Sequence, residues 1–300
     1  MPGGTLLVEP QAGYGVVDRF VAGATRSVDV TMYELADPVF EQALAEDAAR
    51  GVAVRVLLDS AYHGGEVNQE ADTWLTSHGV AVRWANSSEI FHQKTITVDG
   101  TESLIATFNL VSRYEATSRN FGYFDADPAD VAAIVATFDQ DWTGAPPGPA
   151  PSGSGDLIWS PGATSRLVAL IGSATGSLDV ECEELSDPSI LDALLAAAER
   201  HVQVRVVAEA DPGLSSALGE LVAAGAKVVT YPATGPLYIH AKLLVVNGSV
   251  LWIGSENFSV ASLVDNRELG VVISDPSVVQ QAAQVFSSDF AGGLPFGPGT

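Results

Sequence analysis

Ser27-Val28-Asp29-Val30, followed by Glu34-Leu35-Ala36-Asp37-Pro38, returns 150 residues later as Ser177-Leu178-Asp179-Val180 and Glu184-Leu185-Ser186-Asp187-Pro188. Each copy joins a short alternating apolar run to an Asp-Pro pair, a strand followed by the start of a helix. Working outward, Arg50-Gly51-Val52-Ala53-Val54-Arg55-Val56 recurs at the same spacing as Arg200-His201-Val202-Gln203-Val204-Arg205-Val206. A two-residue indel then shortens the spacing to 148. His92-Gln93-Lys94 matches His240-Ala241-Lys242, Asn109 matches Asn257, Arg119 matches Arg267, and Phe138 with Asp141 matches Phe286 with Asp289. A period this long is a duplicated domain and not a solenoid unit.

The join reads as Gly144-Ala145-Pro146-Pro147-Gly148-Pro149-Ala150-Pro151-Ser152-Gly153-Ser154-Gly155, without periodicity or an apolar anchor. The expected organisation is a first half over 1–145, a Pro/Gly linker over 146–155 and a second half over 156–300. In the first half, Thr5 to Val8, Val28 to Met32, Val52 to Leu57 and Val80 to Trp84 read as strands. Tyr14 to Ala24, Pro38 to Arg50 and Glu66 to His78 read as helices. This alternation predicts an α/β fold: two tandem homologous halves with mixed, mainly parallel sheets. After about residue 90 the pattern becomes strand-turn-strand, with Asp99-Gly100 and Asn247-Gly248 as hairpin turns, and each half ends on a helix.

The 300 residues are 47% apolar and 17% charged, which excludes general disorder. No charge-free run approaches the roughly 18 apolar residues of a membrane span. Met1-Pro2-Gly3-Gly4 has no basic region and the first basic residue is Arg19, so no signal peptide is expected in this chain. Fourteen basic residues against 37 acidic ones give a net charge of −23, a field that repels nucleic acid and anionic membranes. The single cysteine, Cys182, excludes an intrachain disulfide and a cysteine metal cluster.

Only three residues are lysine, and two of them, Lys94 and Lys242, stand two positions after a histidine at equivalent points of the repeat. On a strand continuing to Val98, His92 and Lys94 would share a face, and so would His240 and Lys242. Ala106-Thr107-Phe108-Asn109 and Gly254-Ser255-Glu256-Asn257 follow the hairpins, where a hydroxyl and an amide can converge on that face. A lysine beside each histidine disfavours a bound cation, so no metal is expected. His63, His78 and His201 lack repeat partners and read as surface residues. Glu34, Glu181, Glu183 and Glu184 read as strand-end acids that cap or solvate, although paired carboxylates also suit glycosidase chemistry. The five tryptophans read as core.

His92-x-Lys94-x4-Asp99-x6-Ala106-Thr107-x-Asn109 and His240-x-Lys242-x4-Asn247-x6-Gly254-Ser255-x-Asn257 resemble the paired HKD motifs of the phospholipase D superfamily. Thr31-Met32-Tyr33-Glu34-Leu35 and Asn266-Arg267-Glu268-Leu269-Gly270 look like secreted bacterial members. The resemblance implies two halves packed around a pseudo-twofold axis in a single chain, an extracellular location and no cofactor. It also implies a structural role for Asp99 and Asn247, and substrate contacts from Thr107, Ser255 and Asn120. Three departures stand out: Asn247 for the motif Asp, Ala106-Thr107 for Gly-Ser, and Asn120 where the second half has the acid Glu268.

The implied chemistry is phosphodiester cleavage. Lys94, Lys242, Asn109 and Asn257 would neutralise and bind the phosphate oxygens. One histidine would attack phosphorus and form a phosphohistidine, while the other handles the leaving group's proton. Each orienting residue is expected to reach across the axis, Glu268 to His92 and Asn120 to His240, which makes His92 the nucleophile and His240 the general acid/base. The expected substrate is a phospholipid head-group diester, with water or an alcohol as acceptor. A metal-independent nuclease is the alternative, disfavoured by the charge, and a non-catalytic scaffold is disfavoured by two complete His/Lys/Asn sets. Cardiolipin synthesis ranks lower, for want of a membrane anchor.

Overall fold

The computed structural model describes residues 4–151 and 153–297. Met1-Pro2-Gly3 of the expected leaderless start, Ser152 of the expected linker and residues 298–300 lie outside the described residues. The first half runs β1 (Thr5–Glu9), α1 (Gly15–Ala22), β2 (Ser27–Met32), α2 (Pro38–Ala49), β3 (Ala53–Leu58), α3 (Gln69–Ser77), β4 (Ala81–Trp84), β5 (Thr95–Val98), β6 (Glu102–Ala106), β7 (Ser118–Asp125) and α4 (Pro128–Trp142). The second repeats it as β8 (Leu157–Ser160), α5 (Ala163–Gly172), β9 (Ser177–Cys182), α6 (Pro188–Glu199), β10 (Gln203–Glu209), α7 (Ser215–Ala223), β11 (Lys227–Tyr231), β12 (Leu243–Val246), β13 (Val250–Gly254), β14 (Glu268–Ile273) and α8 (Pro276–Gly292).

The sheets have the same order, β1-β7-β6-β5-β2-β3-β4 and β8-β14-β13-β12-β9-β10-β11. Each is mixed. Crossover helices make β2, β3 and β4 parallel, and the hairpin part pairs antiparallel. The Asp-Pro pairs start the helices as read: Asp37, Asp127, Asp187 and Asp275 each accept backbone N–H groups of the first turn, with proline just inside. Asp99-Gly100 and Asn247-Gly248 both hold positive φ, the geometry of a type I′ hairpin. The Asp99 carboxylate accepts from the N–H groups of Thr25, Arg26 and Ser27. Asn247 Oδ1 collects those of Thr175, Gly176 and Ser177, so the amide performs the same tethering job.

Strand alternation gives each sheet two apolar faces. Val28, Val30, Val54 and Val56 pack under Val17 and Val21 of α1, Phe40 and Leu44 of α2 and Leu75 of α3. The opposite faces meet between the halves, where Leu6, Val8, Phe121 and Tyr123 join Leu243, Val245, Leu269 and Val271 and the α8 residues Val279 and Phe286. Two buried ion pairs cross the same interface. Arg119 donates to Asp289 at 2.6 and 3.0 Å, and Arg267 donates to Asp141 at 2.9 Å, the matched residues exchanged between halves. Removing one partner strands a buried charge. Asp289→Ala should therefore cost about 3–5 kcal/mol of unfolding free energy in a denaturant titration. A loss below about 1 kcal/mol would mean that the carbonyls around Arg119 already satisfy its charge.

Three local expectations change. The helix read over Glu66 to His78 breaks at buried Asn68, whose side chain bonds Leu35 N, Tyr33 O and Asp59 O and ties three loops together. The segment expected as a linker is pinned at several of its described residues. Gly148 O accepts from Arg267, Pro151 O from Trp159 Nε1, Ser154 N donates to Asp130, and Ala150 packs on the central core. His92 and Lys94 precede β5 instead of lying within it, because the N–H of intervening Gln93 bonds Arg267 O in the other half.

Candidate active site

That detour builds the site. Phe91 bridges Arg267 in a parallel register, and Arg267 N donates to Ile90 O at 2.9 Å. In the mirror arrangement Tyr238 and Ile239 pair with Ser118 and Arg119 of β7, and His240 N donates to Arg119 O at 3.3 Å. The residue after each arginine is thereby laid beside the other half's histidine. His92 Nδ1 lies 2.7 Å from Glu268 Oε2, and His240 Nδ1 lies 2.8 Å from Asn120 Oδ1. Both rings line one cleft of about 510 Å³, together with Asn109, Asn120 and Asn257.

The tautomers follow from the hydrogen bonds. A carboxylate only accepts, so His92 carries a proton on Nδ1. Phe121 N–H donates to Thr107 Oγ1, whose own proton goes to Asn120 Oδ1. Asn120 Oδ1 is thus an acceptor, and His240 also donates from Nδ1. Nε2 is the unprotonated nitrogen in both neutral rings. Burial pushes both imidazoles below their ordinary range, His240 to about 3. Glu268 opposes the shift at His92, Glu183 opposes it at His240, and the nearby lysines reinforce it at both. Glu268 is itself fastened by Ser262 and by Asn266 Nδ2 at 3.1 Å. Burial alone would raise its carboxyl, but the neighbouring His92 and Lys94 outweigh that and hold it low.

Lys94 and Lys242 lie behind the histidines, almost fully buried, each donating to the carbonyl of its own histidine at 2.5 and 2.6 Å. Burial lowers the Lys94 ammonium to about 7, Glu268 opposing and Lys242 adding to the shift. The two halves then diverge. Lys94 Nζ stands 5.1 Å from the Tyr33 ring centroid, whereas Lys242 Nζ is 2.7 Å from the carboxylate of Glu183, the residue matching Tyr33 in the repeat.

Thr107 and Ser255, expected to touch substrate, are instead fully buried: their hydroxyls accept from Phe121 N and Leu269 N and brace the neighbouring strands. A small residue there needs its hydroxyl for the backbone, because the adjacent ladder is interrupted. Glu34, Glu183 and Glu184 are not solvated caps but line the cleft, and exposed His63 stands at its edge. Glu181 is buried without a hydrogen-bond partner.

The sequence reading overlooked Asp59 and Glu209, at the ends of β3 and β10. Asp59 accepts from Phe91 N at 2.7 Å and Glu209 from Ile239 N, fixing the residue before each histidine. Two acids at the same repeat position were the available clue. Burial raises both carboxyls to about 7, as it does Glu9. A raised acid binds its proton more tightly folded than unfolded, so stability falls as pH climbs between the two values. The melting temperature should accordingly drop from pH 5 to pH 7 in calorimetry, each pKa unit being worth about 1.4 kcal/mol at most. The lowered His92 and His240 pull the other way over this interval, so a rise would show that the histidines outweigh the carboxyls.

A family model described as "Cardiolipin synthase, PLD-like domain" matches residues 17–142 and again 167–290. The major cardiolipin synthase ClsA of Bacillus subtilis is 26% identical over 294 residues, covering 82% of this chain and 59% of that protein. The mitochondrial cardiolipin hydrolase of Xenopus laevis is 36% identical over 126 residues, 41% of this chain and 58% of that protein. This chain thus spans only about half the length of the curated relatives it matches. Among solved structures, phosphatidylserine synthase from Haemophilus influenzae superposes with a TM-score of 0.74 at 12% identity, covering 98% of this chain and 87% of that one. Polyphosphate kinase from Porphyromonas gingivalis gives 0.73 at 15% identity, covering 95% and 46%. At those identities the likeness is one of fold. Two copies of the domain in tandem, each contributing a His-x-Lys segment to one cleft, make this chain a member of the cardiolipin synthase-type PLD-like domain family, within the phospholipase D superfamily.

Proposed function

We propose that the chain cleaves a phospholipid head-group phosphodiester through a phosphohistidine on His92 and passes the phosphatidyl group to water or an alcohol. The observation that carries this reading is the unequal pairing of two histidines in one cleft, Glu268 on His92 and Asn120 on His240. Nε2 of His92 attacks phosphorus while the bond to the head-group oxygen breaks. That ring becomes cationic, and the Glu268 carboxylate stabilises it. His240 gives a proton to the departing oxygen, then takes one from the incoming water or alcohol, which displaces His92 from phosphorus. Burial and the nearby lysines disfavour the charged form of His240, and the anionic diester supplies the negative charge that lets the ring carry the proton it donates. Lys94 and Lys242 stabilise the charge on phosphorus from behind at short range, where little water screens them.

The same phosphoenzyme serves transfer and hydrolysis, and the relatives include proteins named as synthases and one named as a hydrolase. Cardiolipin synthesis is not disfavoured by the sequence seen here, because this chain covers only part of those synthases. No helix among the described residues is long and apolar enough to cross a membrane. The test is a panel in EDTA: phosphatidylcholine vesicles, single- and double-stranded DNA, and bis(p-nitrophenyl) phosphate. Lipid and small diester should turn over at rates unchanged by chelation, and DNA should not. Activity lost in EDTA and restored by one divalent ion would contradict the lysine-based mechanism. Faster turnover of DNA than of lipid would make the protein a nuclease.

A further inference from the structure

The two halves present their phosphate ligands differently. Lys94 has the Tyr33 ring beside it, and among the described residues no carboxylate forms an ion pair with it. In the second half both ligands are occupied: Lys242 Nζ donates to Glu183 Oε2 at 2.7 Å, and Asn257 Nδ2 donates to Glu184 Oε1 at 3.1 Å. Glu183 is also 3.5 Å from His240 Nε2 and accepts from Tyr238 at 2.6 Å. Its side chain keeps a fifth of its surface accessible, and it lines the cleft. Glu183 is thus a negative charge aimed into an anion site, on the side where His240 would protonate the leaving oxygen. A phosphodiester bound in the cleft competes with Glu183 for the charge of the buried Lys242 behind His240, and the carboxylate is left short of a cationic partner.

We infer that Glu183 is a specificity-determining residue that selects a leaving group carrying an ammonium. The inference rests on the proposed function. When the phosphate takes Lys242, an ammonium on the head group takes Glu183, so one pair of ion pairs is exchanged for another and no charge is stranded. Tyr33, Tyr114 and Tyr238 line the same cleft, and aromatic side chains attract a quaternary ammonium. A neutral head group of the same shape offers Glu183 nothing, and a second phosphate would be repelled.

The test compares phosphatidylcholine with its uncharged isostere, phosphatidyl-3,3-dimethylbutanol, in mixed micelles, following phosphatidic acid by ³¹P NMR. The native chain should prefer the choline lipid by about tenfold or more in kcat/KM, the cost of one unmatched contact of about 1.4 kcal/mol. In Glu183→Gln, which keeps size and hydrogen bonding, the ratio should fall to near one. Glu183→Tyr, which copies the first half, should lower it as well. Because the native ratio is itself diagnostic, the test does not depend on a variant folding. Equal turnover of the two lipids by the native chain would overturn the inference and leave the proposed function standing. So would a preference that survives in Glu183→Gln. Failure to cleave either lipid would sink the proposed function and this inference with it.

Discussion

His92→Ala should release no p-nitrophenolate from bis(p-nitrophenyl) phosphate, a loss of about 10⁴-fold or more, because the atom that bonds phosphorus is gone. His240→Ala should behave otherwise. p-Nitrophenolate departs without a proton, so the first step survives and gives a burst of about one equivalent per chain. The second step, which needs a base to activate water, then slows by about 10²–10⁴-fold. Stopped-flow absorbance separates the two phases. A burst that persists in His92→Ala and vanishes in His240→Ala would reverse the roles, despite the carboxylate at 2.7 Å from His92.

The next largest effect falls on Glu268. Its carboxylate is fully buried, fastened by Ser262 and Asn266, and touches His92. Glu268→Gln keeps the shape but removes the charge that a cationic His92 would gain. Phosphoenzyme formation should slow by about 10²–10⁴-fold, with the burst phase affected first. Asn120→Ala removes an uncharged acceptor of the His240 proton, so a smaller loss of about tenfold is expected, and it should appear in the slow phase. Because the two substitutions strike different phases, a general structural disturbance, which would depress both together, is distinguishable. Equal slowing of both phases in Glu268→Gln would remove the reason for treating the histidines as unequal.

Much of this was legible in the sequence because duplication writes the same physical constraint twice. A single His-x-Lys is ambiguous, but the recurrence of His92 and Lys94 as His240 and Lys242 marks a position that both halves must keep. Strand alternation and the Asp-Pro caps located the sheets and helices for a local reason: capping and side-chain period act within a few residues. What escaped depends on contacts between halves. Nothing near His92 announces that Gln93 will bond Arg267, so the motif reads as strand although it leaves the ladder. Thr107 and Ser255 look like substrate ligands because a hydroxyl is equally fit to brace a strand. Glu183 reads as a solvated acid at a strand end, and only the fold brings Lys242 and Tyr238 against it. Asn68 interrupts a helical pattern for the same kind of reason, since its partners are loops far away in the chain.

Intact mass spectrometry of His240→Ala, quenched at alkaline pH during the burst with bis(p-nitrophenyl) phosphate, tests the central claim most directly. The account predicts one added p-nitrophenylphosphoryl group per chain, labile to acid and carried by the peptide containing His92. An unmodified chain after a full burst, or an adduct on any other residue, would contradict it.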